Sequence, residues 1–531
     1  MDRNLVKKTE FLASLSRFFS TYRYALLAAL AVTLFCYGYM LTHRSLSIDE
    51  ETWILNEDSS AIRLWLVQGR FGLYLFDLVF QPLGRYIPMI WDWVAVVIWQ
   101  LSAVLFCHAM VRLTRSGSTY SVLIFCTVFC TVPLSTGELL SFSMFNLQQA
   151  LAMLLLACSV TVAYEDLQAS RRSVLRLVLS VVLLFCAISI YQAFAVVFVT
   201  AIVAYLLLKA CNTSEPTIGK LALDTVFLLG IVIVAVGAYW AVNYWITTRV
   251  APGGAGYLRD HFVGWRLGTP AWLSLARAVK SMLRVWLGWG VIGGHALVLS
   301  TLVCVGYAVA VLRMGPRKYR VHRLALLVLF QLSPFAMNLL LATPSIVGRT
   351  LLALPLALAV VFFLLLNTLP AERPFVRAIA MIAVSLVLCL NAVDMNRYFY
   401  FSHQIYRQDA AFAEQVMNRA VQQGIRVSGQ PVVFIGKYDD GPALPDWGPA
   451  LGSFFQWDGG NVQRMADFLR AQGYPVSRPN VQQVGSAVQL AQMMNPWPQE
   501  GCIVDAGDVL IVKLSDLSQG SSWYRINGLA P

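Results

Sequence analysis

Residues 24–41 read YALLAALAVTLFCYGYML, and after three intervening residues positions 45–53 read SLSIDEETW. The first stretch is uncharged and long enough to cross a hydrocarbon core of roughly 30 Å as a helix. The second sets Asp49, Glu50 and Glu51 side by side where that helix leaves the apolar layer. Three carboxylates at a membrane exit fit a solvated loop or helix start, a marker of topology, or a catalytic cluster. The choice depends on which side they face and on what faces them.

The rest of the chain repeats the first stretch. Of 531 residues, 58% are hydrophobic and 13% charged, far from the roughly half apolar and quarter charged of a soluble domain. This is the composition of a polytopic all-α membrane protein. The net charge of +12 would suggest nucleic acid in a soluble chain, but its distribution excludes that reading. From 396 onward 10 Lys+Arg stand against 11 Asp+Glu, while the first 395 residues hold 30 against 17. Excess basic charge among apolar segments is expected of cytoplasmic loops and contact with anionic lipid. Nine of the ten cysteines lie in or beside apolar runs and only Cys502 lies in the tail, so neither a zinc site nor a disulfide framework is indicated. The first apolar segment is too long, and lacks a small-residue cleavage site, to be a removable signal peptide; it reads as a retained first helix.

Eleven segments are predicted to span: 24–42, 89–110, 119–136, 144–164, 174–190, 192–209, 221–246, 286–312, 324–342, 350–369 and 376–394. The fifth and sixth share one apolar stretch broken near Tyr191-Gln192. With the N-terminus inside, the cytoplasmic pieces collect 19 basic residues, including RMGPRKYRVHR at 313–323, and the short opposite connections hold only Arg349. That sorting follows the positive-inside rule. An odd number of spans then puts the last 135 or so residues outside, with the loops 43–88 and 247–285. Residues 1–394 are expected to form the transmembrane domain and 395–531 a small C-terminal α/β periplasmic domain. In the latter, 404–424 and 461–474 read as helices and PVVFIG (431–436) and DVLIVKL (508–514) as strands.

The loop after the acids, NEDSSAIRLWLVQGRFGLYLFDLVFQPLGRYIPM (56–89), is too polar to span and too apolar to be free. It fits one or two helices lying along the outer membrane surface. Arg63 and Arg70 there either snorkel from the helix or bind an anion such as a phosphate, for which the fixed donor fork of arginine is suited. A nearby carboxylate supplies a general base for an acceptor hydroxyl. Clustered acids also permit a divalent metal, or raise one another's pKa. Glu51 of the acid run, Glu138 in STGELLSFSMFN, Asp260 in YLRDHF, and Tyr191-Gln192 at the tight turn are either ordinary loop residues or parts of an acceptor and sugar site. Arg349, the one charge in TPSIVGRT, lies near apolar depth, where charges are costly.

Taken in order, SIDEE (47–51), Gly69-Arg70, SIYQAF (189–194) and Gly348-Arg349 on an N-in, multi-span frame resemble the Gtr-type glucosyltransferases, which belong to the GT-C class of polyprenyl-phosphate-sugar-dependent membrane enzymes. The resemblance implies an inverting transfer of a sugar, glucose in that family, from an undecaprenyl-phosphate-linked donor to a lipopolysaccharide O-antigen on the periplasmic face of the bacterial inner membrane. It implies Asp49, with Glu50 beside it, as base, although the family's pair is written as two aspartates and here a third acid, Glu51, follows. It implies Arg70 and Arg349 at the donor phosphate, and a partner flippase and lipid-phosphate-sugar synthase. No cofactor is required, a divalent metal being permitted. A flippase for lipid-linked sugars, or an O-antigen polymerase or ligase, is the competing class. Acids at the outer rim rather than the midplane, and no half-to-half symmetry, favour the enzyme.

Overall fold

The computed structural model describes residues 3–55, 59–80, 88–169, 171–212, 218–252, 263–265, 269–313, 317–343, 346–369, 373–438, 452–518 and 520–529. Each of the eleven predicted segments overlaps a helix. Among the described residues eight helices are long and apolar enough to cross a membrane, or nine if the bent pair Thr119–Cys130 and Pro133–Leu140, at 41°, is one span. Three further apolar helices among the described residues, Phe71–Phe80, Val174–Ile190 and Leu354–Thr368, are shorter. The chain is a multi-pass membrane protein.

Two boundaries differ from the sequence expectation for local reasons. The predicted span at 286–312 begins only at Gly294, because Gly288, Gly290 and Gly293 all take positive φ and turn the chain there. At the other end, Pro374–Gln422 is one helix of 49 residues, roughly 70 Å at 1.5 Å per residue. It runs through position 394/395 without a break and carries the apolar bundle directly into the C-terminal unit. It ends at Gln422, with Gly424 at φ +78° beyond it, the left-handed stop that glycine allows.

The C-terminal unit is α/β. Strands β1 (Val432–Ile435), β2 (Ile503–Asp505) and β3 (Leu510–Lys513) form a sheet of order β1-β3-β2, with β1 parallel and β2 antiparallel to β3. Successive side chains of a strand point to opposite faces, and here both faces are covered. Val432, Phe434, Leu510 and Val512 join one apolar cluster with Phe412, Val416 and Phe468. Val433, Ile435 and Ile511 join another with Val484 and Trp523. Double coverage explains why β1 and β3 read as unbroken apolar runs.

The first cluster also contains Leu46, with Ile48 and Ile54 packed on it. The segment that leaves the first helix is therefore built into the core of the C-terminal unit. Among the described residues of 43–88 the structure forms three helices, Glu50–Leu55, Ser59–Val67 and Phe71–Phe80.

Candidate active site

Asp49 sits at φ +81°, one residue before the short helix Glu50–Leu55. A left-handed aspartate is uncommon, and such strain gathers at functional sites. The reversal separates the three acids. Glu50 turns inward and is fully buried, its Oε2 accepting from the Ser47 amide at 2.8 Å and its Oε1 from the Met144 amide at 3.2 Å. Asp49 and Glu51 instead line a cavity of about 620 Å³, within the range of small-molecule sites.

Two Gly-Arg pairs deliver cations to the same cavity. Gly69 has φ +72°, and a Cβ there would meet the Tyr239 hydroxyl at 2.7 Å and Gln192 Nε2 at 3.0 Å. Gln192 donates from that nitrogen to the Gln68 and Gly69 carbonyls, at 2.9 and 3.1 Å, and Tyr239 also donates to the Gly69 carbonyl. The turn so tethered sets Arg70 over the rings of Tyr191 and Trp65, 4.8 and 5.6 Å from their centroids. Trp65 is fixed in turn by donating to Asp77 at 2.9 Å, and it stacks on Trp53 at 5.3 Å. At Gly348 a Cβ would overlap the Leu134 carbonyl and the Glu138 carboxylate. This close approach lets Arg349 donate to Glu138 at 3.3 Å and lie 5.0 Å over Phe142.

The outer wall belongs to the C-terminal unit. Asp458, Gly459 and Gly460 take consecutive positive φ, and Asn461 then caps the helix Val462–Ala471 by accepting from the Arg464 amide at 3.2 Å. Arg464 reaches back to the acids: Nη1 donates to Glu51 at 2.8 Å, and Nη2 to Asp49 at 2.8 Å and Asp458 at 3.2 Å. Thr52 donates to Asp467 at 3.4 Å, and Asp467 is clasped by Arg478. Asn461, Gln463, Arg464, Asp467 and Arg478 all line the cavity.

Burial pushes the Glu51 carboxyl up, to about 8, with Asp49 and Asp467 adding to the rise and Arg464 opposing it. Its Oε2 is buried without a hydrogen-bond partner among the described residues. A buried acceptor left open is costly, and this one borders a cavity. It is ready for a hydroxyl brought by a ligand.

Of the residues predicted from sequence, the structure gathers Asp49, Glu51, Arg70, Tyr191 and Arg349 around one cavity. Glu50 is spent on backbone amides, Gln192 holds the turn before Arg70, and Glu138 stands behind Arg349. Arg63 is exposed and is not among the lining residues. Asp260 lies outside the described residues. Among the described residues no group of three or more His, Cys, Asp or Glu is placed to hold a metal; the cation shared by Asp49, Glu51 and Asp458 is the Arg464 guanidinium. Sequence reasoning missed Arg464, Arg478, Asn461, Gln463, Trp53 and Trp65 as lining residues.

The family described as glucosyl transferase GtrII matches residues 38–391, most of the chain and all of the membrane part of this cavity. No curated protein and no solved structure matches the chain.

Proposed function

The chain belongs to the glucosyl transferase GtrII family, and from that premise we propose that it transfers glucose from undecaprenyl-phosphate-glucose to a lipopolysaccharide O-antigen or related surface glycan, with inversion. The site faces the periplasm of a bacterial inner membrane, the N-terminus and basic loops are cytoplasmic, and the chain spans eleven times. Membership in a sugar transferase family supports transfer over a flippase. A lipid monophosphate donor, rather than the diphosphate oligosaccharide of a polymerase or ligase, follows from the sequence resemblance.

The observation that carries this reading is a single cavity in which Asp49 and Glu51 meet Arg70 and Arg349. Asp49 takes the proton of the acceptor hydroxyl as its oxygen attacks the anomeric carbon. The bond from that carbon to the phosphate oxygen breaks, and the lipid phosphate leaves with the electron pair. Arg70 and Arg349 meet the charge that gathers on it. Glu51, as carboxylate, accepts a hydrogen bond from a substrate hydroxyl through Oε2. Glu50 positions the pair from behind.

Purified protein in lipid, given labelled undecaprenyl-phosphate-glucose and lipopolysaccharide, is expected to transfer label. Asp49→Asn should lower the rate by at least about a hundredfold, the scale of a lost general base. The rate should rise with pH through about 8 as Glu51 ionises, and Glu51→Gln should abolish that limb. Unchanged turnover in both variants would remove the site assignment. Absence of transfer from any lipid-monophosphate hexose would remove the donor class.

A further inference from the structure

Arg464 lies beyond residues 38–391, the segment that the family matches, yet it donates to both Asp49 and Glu51 of the acid loop. Its side chain is 11% exposed, and Glu51 beneath it 3%. The two carboxylates are held in a particular way. Glu51 accepts from Nη1 through Oε1 and keeps Oε2; Asp49 accepts from Nη2 through Oδ1. One guanidinium thus ties two acids by one oxygen each and leaves each a second oxygen. A latch that blocked a carboxylate would take both oxygens of one acid in the bidentate fork typical of arginine. Asp458, from the C-terminal unit itself, holds the same Nη2 at 3.2 Å and keeps the guanidinium aimed.

We propose that Arg464 is a positioning residue for sugar transfer, so that the C-terminal unit completes the active site by fixing Asp49 and Glu51 against the cavity. The proposal rests on the cavity being the transfer site. The charged groups around Glu51 are Asp49 on its own loop and Arg464 and Asp467 on the facing helix. Asp458 meets Arg464, Arg470 and Arg478 meet Asp467, and Arg70 and Arg349 share the cavity. Arg464 is the cation in direct contact with Glu51. Removing it withdraws the positive charge in contact with Glu51 that favours the ionised form, so the proton affinity of Glu51 rises.

The test compares Arg464→Gln, Arg464→Lys and Arg470→Gln in the full-length protein in lipid nanodiscs. Arg464→Gln should cut kcat by about tenfold to a hundredfold, the scale of a misplaced reacting group, and shift the acid limb of the pH–rate profile to higher pH. The deficit should shrink as pH rises. Arg464→Lys, retaining the charge without the fork, should recover part of the rate and most of the limb. Arg470→Gln, which removes from the same helix a charge paired with Asp467, should keep the wild-type profile.

A rate that rises in Arg464→Gln would overturn positioning in favour of a latch. An equal loss at every pH would reduce Arg464 to a structural role. Infrared titration of the carboxyl band, with Glu51→Gln as its assignment, reads the same coupling without turnover. An upward move of the Glu51 midpoint in Arg464→Gln supports the link to Arg464 even if the wild type proves to use a different donor, and an unmoved midpoint refutes it.

Discussion

Gly69 and Gly348 each precede an arginine of the cavity, and both are glycine because the space where a side chain would begin is taken. Alanine at 69 adds a contact at 2.7 Å to Tyr239 and a strained φ; alanine at 348 collides with the Leu134 backbone. At 69 the side chains of Tyr239 and Gln192 that tether the turn must give way, and at 348 the obstruction is backbone. Gly69→Ala and Gly348→Ala are therefore expected to lower transfer by at least about tenfold through misplacement of Arg70 and Arg349. Gly219→Ala and Gly230→Ala, on an open helix face with nothing within 4 Å, should leave activity intact and stabilise by up to about 1 kcal/mol. Equal activity in all four proteins would show that the Gly-Arg geometry is not needed. The two Gly-Arg pairs were legible in the sequence as motifs, though the reason for glycine was not, since it lies in distant residues. The acids were legible as a cluster but not as individuals. Which of them turns inward depends on the left-handed φ of Asp49. One signal was present: Ser47 and Glu50 have the S-x-x-E spacing of a capping box, and Glu50 does accept from the Ser47 amide.

At the scale of elements, the segment 46–54 serves two bodies. It carries Asp49 and Glu51 to the cavity, and its apolar residues Leu46, Ile48 and Ile54 enter or line the core that also holds Phe412 and Phe468. Leu46 is 4% exposed, so Leu46→Ala should cost about 2–5 kcal/mol. The loss should show as a lower thermal midpoint and earlier proteolytic release of the C-terminal unit. Leu46→Met, nearly conserving volume, should cost under about 1.5 kcal/mol. If Leu46→Ala melts like wild type, the acid loop is not held by that core. Sequence periodicity found the helices at 404–424 and 461–474 and two of the three strands, because each is a local pattern. It missed the helix Val481–Ala491, strand β2, and the whole outer wall of the cavity. Asn461, Gln463 and Arg464 become site residues only when their helix docks on Glu50–Leu55, some 400 residues earlier in the chain, and no local pattern encodes that.

For the whole molecule, the cavity constrains the number of crossings. Asp49, Arg70, Phe145, Tyr191, Arg349 and Arg464 line it together; with the cavity on the periplasmic side, as proposed above, the segments carrying them share that side, and an even number of crossings separates each from the next. Between Arg70 and Phe145 lie Pro88–Thr114 and the bent pair. Between Phe145 and Tyr191 lie Asn146–Gln168 and Val174–Ile190. Four helical spans, Phe194–Asn212, Ile218–Trp245, Gly294–Arg313 and the stretch from Arg317 to Leu341, lie before Arg349. Leu354–Thr368 and Pro374–Gln422 follow it. Every interval is even only if the bent pair, Val174–Ile190 and Leu354–Thr368 all cross; leaving out any one of them makes its interval odd. Leu354–Thr368, roughly 22 Å long, is buried along most of its length, so protein rather than lipid surrounds it and the mismatch with the hydrocarbon thickness is tolerated. Single cysteines in a cysteine-free background test the count directly. At Gln423 a membrane-impermeant maleimide should react in spheroplasts, whereas at Ala169, Asn212, Arg313 and Leu369 it should react only after permeabilisation. Reaction at Ala169 without permeabilisation would show that Asn146–Gln168 does not cross, and reaction at Leu369 would show the same of Leu354–Thr368. Either result would contradict the shared cavity, because Tyr191 or Arg464 would then have to reach it from the opposite face of the membrane.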